Sequence, residues 1–419
     1  MSLPKEFLLG AATAAHQVEG NNIHSDYWVQ EHTKHTSFAE PSGLAVDHYN
    51  RFAEDIALLT DAGLNAYRFS IEWARIEPSE GLFDKNEIEH YRAVLKCCKD
   101  NGITPFVTMH HFSSPAWLIS KGGWAKEYVV EAFSKYVKYV MEELGEYIDY
   151  VCTINEANMG FQLSKIAADM MAASKKKDGA VQVGVNFDLK AIILGMFEQG
   201  RAFHCNPFKV ATFLNPRNEE KEKIVMRAHQ AAKAEVKAVK QSCKVGLTLS
   251  LFDYQVKEGG QEIADKLWYE DFGQYFPYIK DDDFIGVQNY TRKIVTKDGA
   301  KEPENIRLTQ MGYEFYPFSI GNVVRKVSGI FNGEIYVTEN GVATTNDEER
   351  CEYIEGAISS IEKCIEEGIN VKGYMHWSLL DNFEWQAGFG KTFGLIAVDR
   401  SDMTRHPKGS LKYLGSMAK

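Results

Sequence analysis

Short apolar segments alternate along this chain with longer segments in which apolar residues recur every three or four positions. A short apolar run bounded by turn residues indicates a buried strand, and the longer spacing indicates an amphipathic helix. The pattern predicts long helices that include residues 49–63, 88–102, 129–145, 219–241 and 347–368. It predicts eight strands, at residues 7–15, 65–71, 104–111, 150–156, 244–251, 283–290, 334–340 and 371–379.

Strands that alternate with helices indicate a parallel sheet joined by crossover helices, and most of these strands are apolar on both faces, as buried parallel strands are. Eight such units favour a closed (β/α)8 TIM barrel over an open, doubly wound sheet. An open sheet would more often carry a glycine-rich phosphate loop after its first strand, and the chain has neither a G-x-G-x-x-G nor a Walker A motif. Because we find no Pro/Gly/Ser-rich linker, we predict a single α/β domain over residues 1–419.

The composition narrows the classes of function. The net charge of −11 argues against binding to nucleic acid or to an anionic membrane, because both need a basic face. The seven cysteines are odd in number and form no C-x-x-C pair, which is typical of free thiols in a reducing compartment. No apolar run is long enough for a membrane span, and the first residues lack the apolar core of a signal peptide. We therefore expect a soluble cytoplasmic protein.

Two of the predicted strands end at a glutamate, Glu156 in VCTINEAN and Glu339 in EIYVTENG. One such residue has an ordinary explanation, because Asn155 could cap a following helix with Glu156 near its positive end. Two in matching contexts favour catalysis, since the carboxyl ends of barrel strands meet at one face, where TIM-barrel active sites lie. Paired carboxylates can cleave a glycosidic bond, with retention when they lie about 5–5.5 Å apart and inversion at about 6.5–9.5 Å. The residues alone leave that spacing open.

These two segments resemble the T-x-N-E-P and [IV]-x-[IV]-T-E-N-G motifs of glycoside hydrolase family 1, the β-glucosidase family. The resemblance covers nearly the whole chain, because further segments are similar to family motifs in family order: FLLGAATAAHQVEG, YRFSIEWARIEP, HHFSSP, DFIGVQNYT, MGYEFYP and GYMHWSLLDNFEW. It implies a retaining β-glycosidase that works by double displacement. The activity it favours most is that of a β-glucosidase, with β-galactosidase and β-fucosidase activity as further options.

The resemblance also implies the catalytic roles. Glu156 would be the acid/base, and Glu339 would be the nucleophile. Arg68 lies inside the apolar segment AYRFSI, and a buried arginine needs a carboxylate partner. That partner could belong to a structural ion pair, whereas the resemblance assigns it to Glu339, with Tyr290 as a hydrogen-bond donor to the same carboxylate.

Other residues would bind the sugar. A sugar ring presents hydroxyls at its rim and a C–H face, so its pocket needs amides, carboxylates and an aromatic surface. The resemblance implies an aromatic platform at Trp377. We do not expect a metal, because adjacent residues such as His110 and His111 point to opposite faces of a strand. We do not expect a cofactor, because the sequence has no phosphate-cradling glycine loop. The residues expected to bind the sugar hydroxyls are Gln17, His111, Asn155, Glu384 and Trp385.

The substrate expected from the resemblance is a small β-glycoside or oligosaccharide without a phosphate. Glu384 places a carboxylate where a phosphate would otherwise bind, and Phe393 resembles the family's aromatic residue beside the sugar O6. A 6-phospho-β-glycosidase and a catalytically inactive sugar-binding barrel are the alternatives. A homo-oligomer is left open.

The chain also departs from the family's patterns. Ala157 follows the acid/base in place of a proline, and Gln288 stands where an asparagine is usual. Residues 159–218 lack the family's glycine- and proline-rich loop, and their pattern predicts helices instead. Because this segment would border the leaving-group side of the pocket, the preferred leaving group is left open.

Overall fold

A computed structural model describes residues 3–175, 189–301 and 306–418 of the chain. Eight parallel strands close into a barrel in which each strand pairs with its neighbours in chain order, and the last pairs with the first. We number them β1 to β8: Leu8–Ala12, Ala66–Ser70, Thr104–Thr108, Tyr150–Cys152, Lys244–Ser250, Phe284–Gln288, Glu334–Asn340 and Val371–Trp377. The prediction of a (β/α)8 barrel is confirmed.

Several strands are shorter than the sequence predicts, and the fourth is less than half its predicted length. It ends at Cys152 instead of extending to residue 156. Glu156 has a positive φ of 41°, which an extended strand does not allow. The peptide N–H of Asn155 donates to the His110 carbonyl, and that of Ala157 donates to the Thr248 carbonyl. The chain therefore turns at the carboxyl end of β4 and presents Glu156 there.

Each of the five long helices predicted from the sequence lies within three residues of its expected bounds, whereas the helix Ser319–Ser328 was not among them. Gly63 and Gly102 follow the first two long helices with φ of 91° and 71°, a conformation that favours glycine. The α-helices are Ala15–Val18, Asp26–Glu31, His48–Asp61, Trp73–Ile76, Lys85–Asp100, Ala116–Ser120, Tyr128–Leu144, Met159–Lys175, Leu189–Ala202, Glu219–Val239, Gln261–Trp268, Phe276–Ile279, Ser319–Ser328, Asp347–Glu366 and Gly409–Gly415.

Further helices and short elements lie in the segments between the barrel strands. Within residues 159–218, the helices Met159–Lys175 and Leu189–Ala202 agree with the helical prediction, while residues 176–188 lie outside the described part. Across the described ranges, every helix is too short or too polar to cross a membrane. The remaining strands are Asp253–Val256, Arg292–Thr296, Gly299–Lys301, Ile396–Asp399 and Thr404–Pro407, and the single-turn segments are Gly123–Ala125, Gly145–Tyr147, Pro207–Lys209, Tyr269–Gly273 and Trp385–Ala387.

The interior of the barrel is packed, not open. The rings of Phe106, Phe284 and Tyr336 meet there with centroids 5.1–5.2 Å apart. They belong to a buried cluster that also contains Cys152 and Met375. This apolar floor fills the barrel, as is usual for the fold, so the polar residues of the strands are left to gather at the carboxyl ends.

Candidate active site

The predicted catalytic residues lie together at the carboxyl end of the barrel, on four different strands or the turns after them. Glu339 is in β7, Arg68 in β2, and Tyr290 two residues beyond β6. Asn155 and Glu156 follow β4. Arg68, Asn155, Glu156 and Glu339 are nearly inaccessible to solvent, with Glu156 6% and Glu339 4% exposed, and Tyr290 is partly buried. Interactions between these groups are therefore weakly screened by water.

Glu339 receives a strong donor at each carboxylate oxygen. The Arg68 Nη1 group donates to Oε1 at 2.6 Å, and the Tyr290 hydroxyl donates to Oε2 at 2.8 Å. The expected partners of Glu339 are therefore in place. Because Arg68 is fully buried, its charge needs this carboxylate, and the ion pair in turn fixes the direction in which the carboxylate points.

Asn155 connects this ion pair to the rest of the site. Its Oδ1 accepts from Arg68 Nη2 at 2.6 Å and from Gln288 Nε2 at 2.7 Å. These bonds fix the orientation of the amide, so Nδ2 donates to His111 Nε2 at 3.1 Å. Burial, together with the charge of Arg68, lowers the pKa of His111 well below its ordinary value, so the ring is neutral. Since Nε2 accepts, the proton lies on Nδ1, which is buried and has no partner among the described residues.

The two glutamates differ in protonation. Burial and the charge of Glu339 raise the pKa of Glu156 to about 8, against a hydrogen bond from Ser250 that lowers it. Burial also raises the pKa of Glu339, but the charge of Arg68 and the hydrogen bonds from Arg68 and Tyr290 oppose the increase. Glu339 therefore ionises first, and its charge then keeps the proton on Glu156. The surroundings of the two groups thus favour a carboxylate at Glu339 and a carboxylic acid at Glu156.

Gln17 and Glu384 form the polar rim expected for a sugar. Gln17 Nε2 donates to the Phe383 carbonyl at 2.8 Å and approaches Glu384 Oε2 at 3.3 Å. Burial and the charge of Glu339 raise the pKa of Glu384 to about 8, although hydrogen bonds from Gln17 and Trp377 oppose this. The buried Gln17 Oε1 has no partner in the described part of the chain, so it is available to accept from a ligand hydroxyl.

Aromatic rings line the other side. The Trp377 ring lies 5.6 Å from the His111 ring at an interplanar angle of 23°, and Trp385 lies 6.2 Å from it. The Phe393 ring contacts that of Tyr290 at 6.1 Å. Every residue predicted for the site is thus connected to the Arg68–Glu339 pair, directly or through one other residue, by hydrogen bonds, ring contacts or charge interactions.

His110 is not part of this cluster. Its Nε2 lies 2.9 Å from the Ser114 hydroxyl, and its ring packs against Trp124 at 4.6 Å. The two adjacent histidines therefore lie in different environments. Nowhere in residues 3–175, 189–301 and 306–418 do three or more His, Cys, Asp or Glu side chains gather in a way that could hold a metal.

Some residues of the site were not predicted. Thr248 accepts the Glu156 peptide N–H at 2.9 Å, and Ser250 lies close enough to the Glu156 carboxyl to lower its pKa. Gln288 was noted only as a departure from the family pattern, yet it binds both Asn155 and Thr248. The sequence carried a signal for Thr248 and Ser250. In the β5 segment LTLS these polar residues alternate with leucines, so both point to the same face of the strand, into the barrel. Tyr313 lies near Tyr290, with ring centroids 6.5 Å apart.

The raised pKa of Glu156 predicts a basic limit to activity. The resemblance implies that Glu156 is the general acid, which must carry its proton. We therefore expect kcat/KM to fall as the pH rises through about 8, the pKa of Glu156. The pH profile of kcat/KM for an aryl glucoside with a poor leaving group measures this. Glu384 has the same pKa, so Glu384→Gln is the matched control. Its profile should keep the basic limb, and a profile that loses the limb would assign it to Glu384.

A parallel barrel with an arginine-paired carboxylate and a second, protonated carboxyl at its carboxyl end defines a barrel glycosidase. The model of glycosyl hydrolase family 1 matches residues 1–419, and the chain belongs to that family. It is a glycoside hydrolase, as the resemblance implied.

Known proteins similar to the chain agree with this assignment. β-Glucosidase A of Thermotoga maritima is 30% identical, over 99% of this chain and 97% of the relative. Among solved structures, β-glycosidase BGL167 is 40% identical with a TM-score of 0.89, covering 99% of this chain and 97% of that one. The apo structure of β-glucosidase 1317 is 38% identical with a TM-score of 0.88, covering 98% of each chain.

Proposed function

We propose that this chain is a retaining β-glucosidase that hydrolyses unphosphorylated β-glycosides by double displacement. The observation that carries the proposal is the unequal environment of the two glutamates. Arg68 and Tyr290 hold Glu339 as a carboxylate, while burial and the Glu339 charge keep the proton on Glu156. A nucleophile and a general acid are thereby ready at the same pH.

In the first step, Glu339 attacks the anomeric carbon while Glu156 protonates the departing oxygen. The negative charge of Glu339 is consumed in the glycosyl ester. The pKa of Glu156 then falls, because the charge that raised it is gone. Glu156 can therefore act as a base in the second step. It takes a proton from water as the water oxygen attacks the anomeric carbon and displaces Glu339, which restores both groups.

The rim favours a sugar with free hydroxyls. The neutral His111 offers a proton at Nδ1, and Gln17 offers a free acceptor at Oε1. Trp377 supplies a flat surface beside them. The names of the curated relatives support glucose as the preferred sugar, and β-galactosides and β-fucosides are further candidate substrates.

Glu384 makes a 6-phosphoglycoside a poor substrate. Its carboxyl is largely protonated at neutral pH, so simple repulsion by a fixed charge is only part of the reason. A phosphate beside it would face the Glu339 charge, which already raises the pKa of Glu384. Burying a further anion there would be costly. The presence of both catalytic glutamates speaks against an inactive sugar-binding barrel.

The domain organisation, the cellular setting and the partner of the protein are also part of the proposal. We propose that residues 1–419 work as one domain, supported by a barrel whose strands extend from Leu8 to Trp377. We propose a reducing, cytoplasmic setting, supported by seven cysteines that are all free thiols. The proposed partner is a small β-glycoside or oligosaccharide.

Hydrolysis of a panel of nitrophenyl β-glycosides tests the substrate. We expect turnover of the glucoside, weaker turnover of the galactoside or fucoside, and none of the glucoside 6-phosphate. Glu339→Gln, which keeps the shape of the side chain, is the control for contaminating activity. Turnover of the 6-phosphate alone would contradict the assignment of the pocket, and no turnover of any member would favour the sugar-binding barrel.

A further inference from the structure

We propose that Arg217 is a positioning residue for Glu156: it holds the carbonyl of Ala157, the residue after the acid/base, and so fixes the direction of proton delivery. The inference rests on the proposed role of Glu156. Arg217 belongs to the segment that least resembles the family, and none of the motifs pointed to it.

Arg217 reaches the acid/base turn directly. Its Nη2 donates to the carbonyl oxygen of Ala157 at 2.7 Å, one residue beyond Glu156. Its Nε donates to Glu222 Oε1 at 2.6 Å, and Nη1 donates to the Phe213 carbonyl. The Tyr275 hydroxyl donates to the other oxygen of Glu222 at 3.0 Å. The Arg217 and Glu222 side chains are 2% and 3% exposed, so this is a buried, fully directed ion pair.

The guanidinium lies in a slot shaped for a planar group. The Phe213 ring covers one face, with its centroid 4.5 Å from Arg217 Cζ. Gly160 also lies against the guanidinium, and a Cβ added there would be 2.4 Å from Cζ. The Gly160 carbonyl accepts the Arg217 peptide N–H at 3.0 Å. A larger residue at 160 would displace the guanidinium without removing its charge.

The contact matters because the other hydrogen bonds to the backbone of this turn are neutral. The Glu156 and Ala157 peptide N–H groups donate to the side chain and carbonyl of Thr248, at 2.9 Å and 3.1 Å. Both are neutral bonds to one residue of β5. Arg217 supplies the charged donor on the carbonyl side, from a different segment of the chain. Glu156 has a left-handed φ of 41°, a conformation that the surrounding structure must hold. Loss of the bond to the adjacent Ala157 carbonyl would let the turn relax and move the carboxyl.

The dependence of kcat/KM on the leaving group distinguishes a residue that positions Glu156 from one that only stabilises the fold. A misplaced acid should slow the departure of poor leaving groups, which need the proton, and spare good ones. We expect Arg217→Lys and Gly160→Ala to lower kcat/KM about tenfold or more for aryl β-glucosides with poor leaving groups, because small misplacements of catalytic groups are that costly. For dinitrophenyl β-glucoside we expect less than about a threefold loss. Lysine keeps the charge but cannot form the three directed bonds.

Arg405→Lys is the matched control. Arg405 makes a buried, two-bond ion pair with Asp55 at 2.8 Å for each bond, outside the acid/base turn. It should lower thermal stability without changing the leaving-group dependence. If Arg217→Lys does not fold, Gly160→Ala still tests the proposal, because it retains the ion-pair residues.

Equal losses for good and poor leaving groups in both variants would overturn the proposal. Glu156→Ala in the same series distinguishes that result from a failure of the proposed function. If kcat/KM depends steeply on the leaving group in Glu156→Ala but not in the Arg217 and Gly160 variants, only the positioning role is contradicted. No dependence in Glu156→Ala would remove the acid/base role itself.

Discussion

Replacement of Glu339 by glycine abolishes turnover, and azide or formate restores it with the opposite anomeric configuration: this is the result we expect from the geometry. The Arg68 and Tyr290 donors fix Glu339 as the ionised group. Without it the glycosyl-enzyme cannot form, and we expect a loss of at least about 10⁴-fold, as for other covalent nucleophiles. A small anion fits the space that glycine leaves and attacks from the same side, so the product is inverted.

Product configuration, followed by proton NMR, measures this prediction. Retained product from Glu339→Gly, or turnover close to that of the unchanged protein, would mean that another residue is the nucleophile. Glu339→Gln serves as the control. Its amide fills the space that azide would need, so azide should not restore turnover.

The same substitution should also affect stability. It leaves the fully buried Arg68 without its carboxylate. Removing one member of a buried ion pair costs about 3–5 kcal/mol in the free energy of unfolding. Thermal unfolding measures the loss, and azide or formate should recover part of it by supplying an anion to Arg68. An unchanged unfolding temperature would show that Arg68 finds another partner.

Replacement of Glu156 by alanine is expected to discriminate between leaving groups. General acid catalysis is worth about 10²–10⁴-fold, and substrates with poor leaving groups should lose that factor. Dinitrophenyl β-glucoside, which departs without protonation, should lose far less in kcat/KM. The loss of the general base slows the second step, so the glycosyl-enzyme should accumulate and KM should fall.

Azide gives the second readout for Glu156→Ala. It needs no deprotonation, so it should accelerate the second step and yield a glycosyl azide with retained configuration. The contrast with the inverted product of Glu339→Gly assigns the two roles independently. Equal losses for good and poor leaving groups, or an inverted azide product, would contradict the acid/base assignment.

The strand–helix alternation predicted the barrel well because each element has its own local period. A buried parallel strand is apolar throughout, and an amphipathic helix repeats its apolar face. The same rule failed at the end of β4. Thr153 and Ile154 are as compatible with a strand as Val151, but the chain turns because Thr248 and His110 bind the peptides beyond them. Those partners lie on other strands, so no local pattern carries the signal.

The sequence by itself determined the eight-unit fold, the two glutamates at strand ends and the buried arginine that needs a carboxylate. These follow from periodicity and from the cost of burying a charge. Only the tertiary structure decided which glutamate keeps its proton, which tautomer His111 adopts, and that Arg217 reaches the Ala157 carbonyl. Protonation depends on burial and on charges across the barrel, and directed hydrogen bonds depend on distances between segments far apart in the chain.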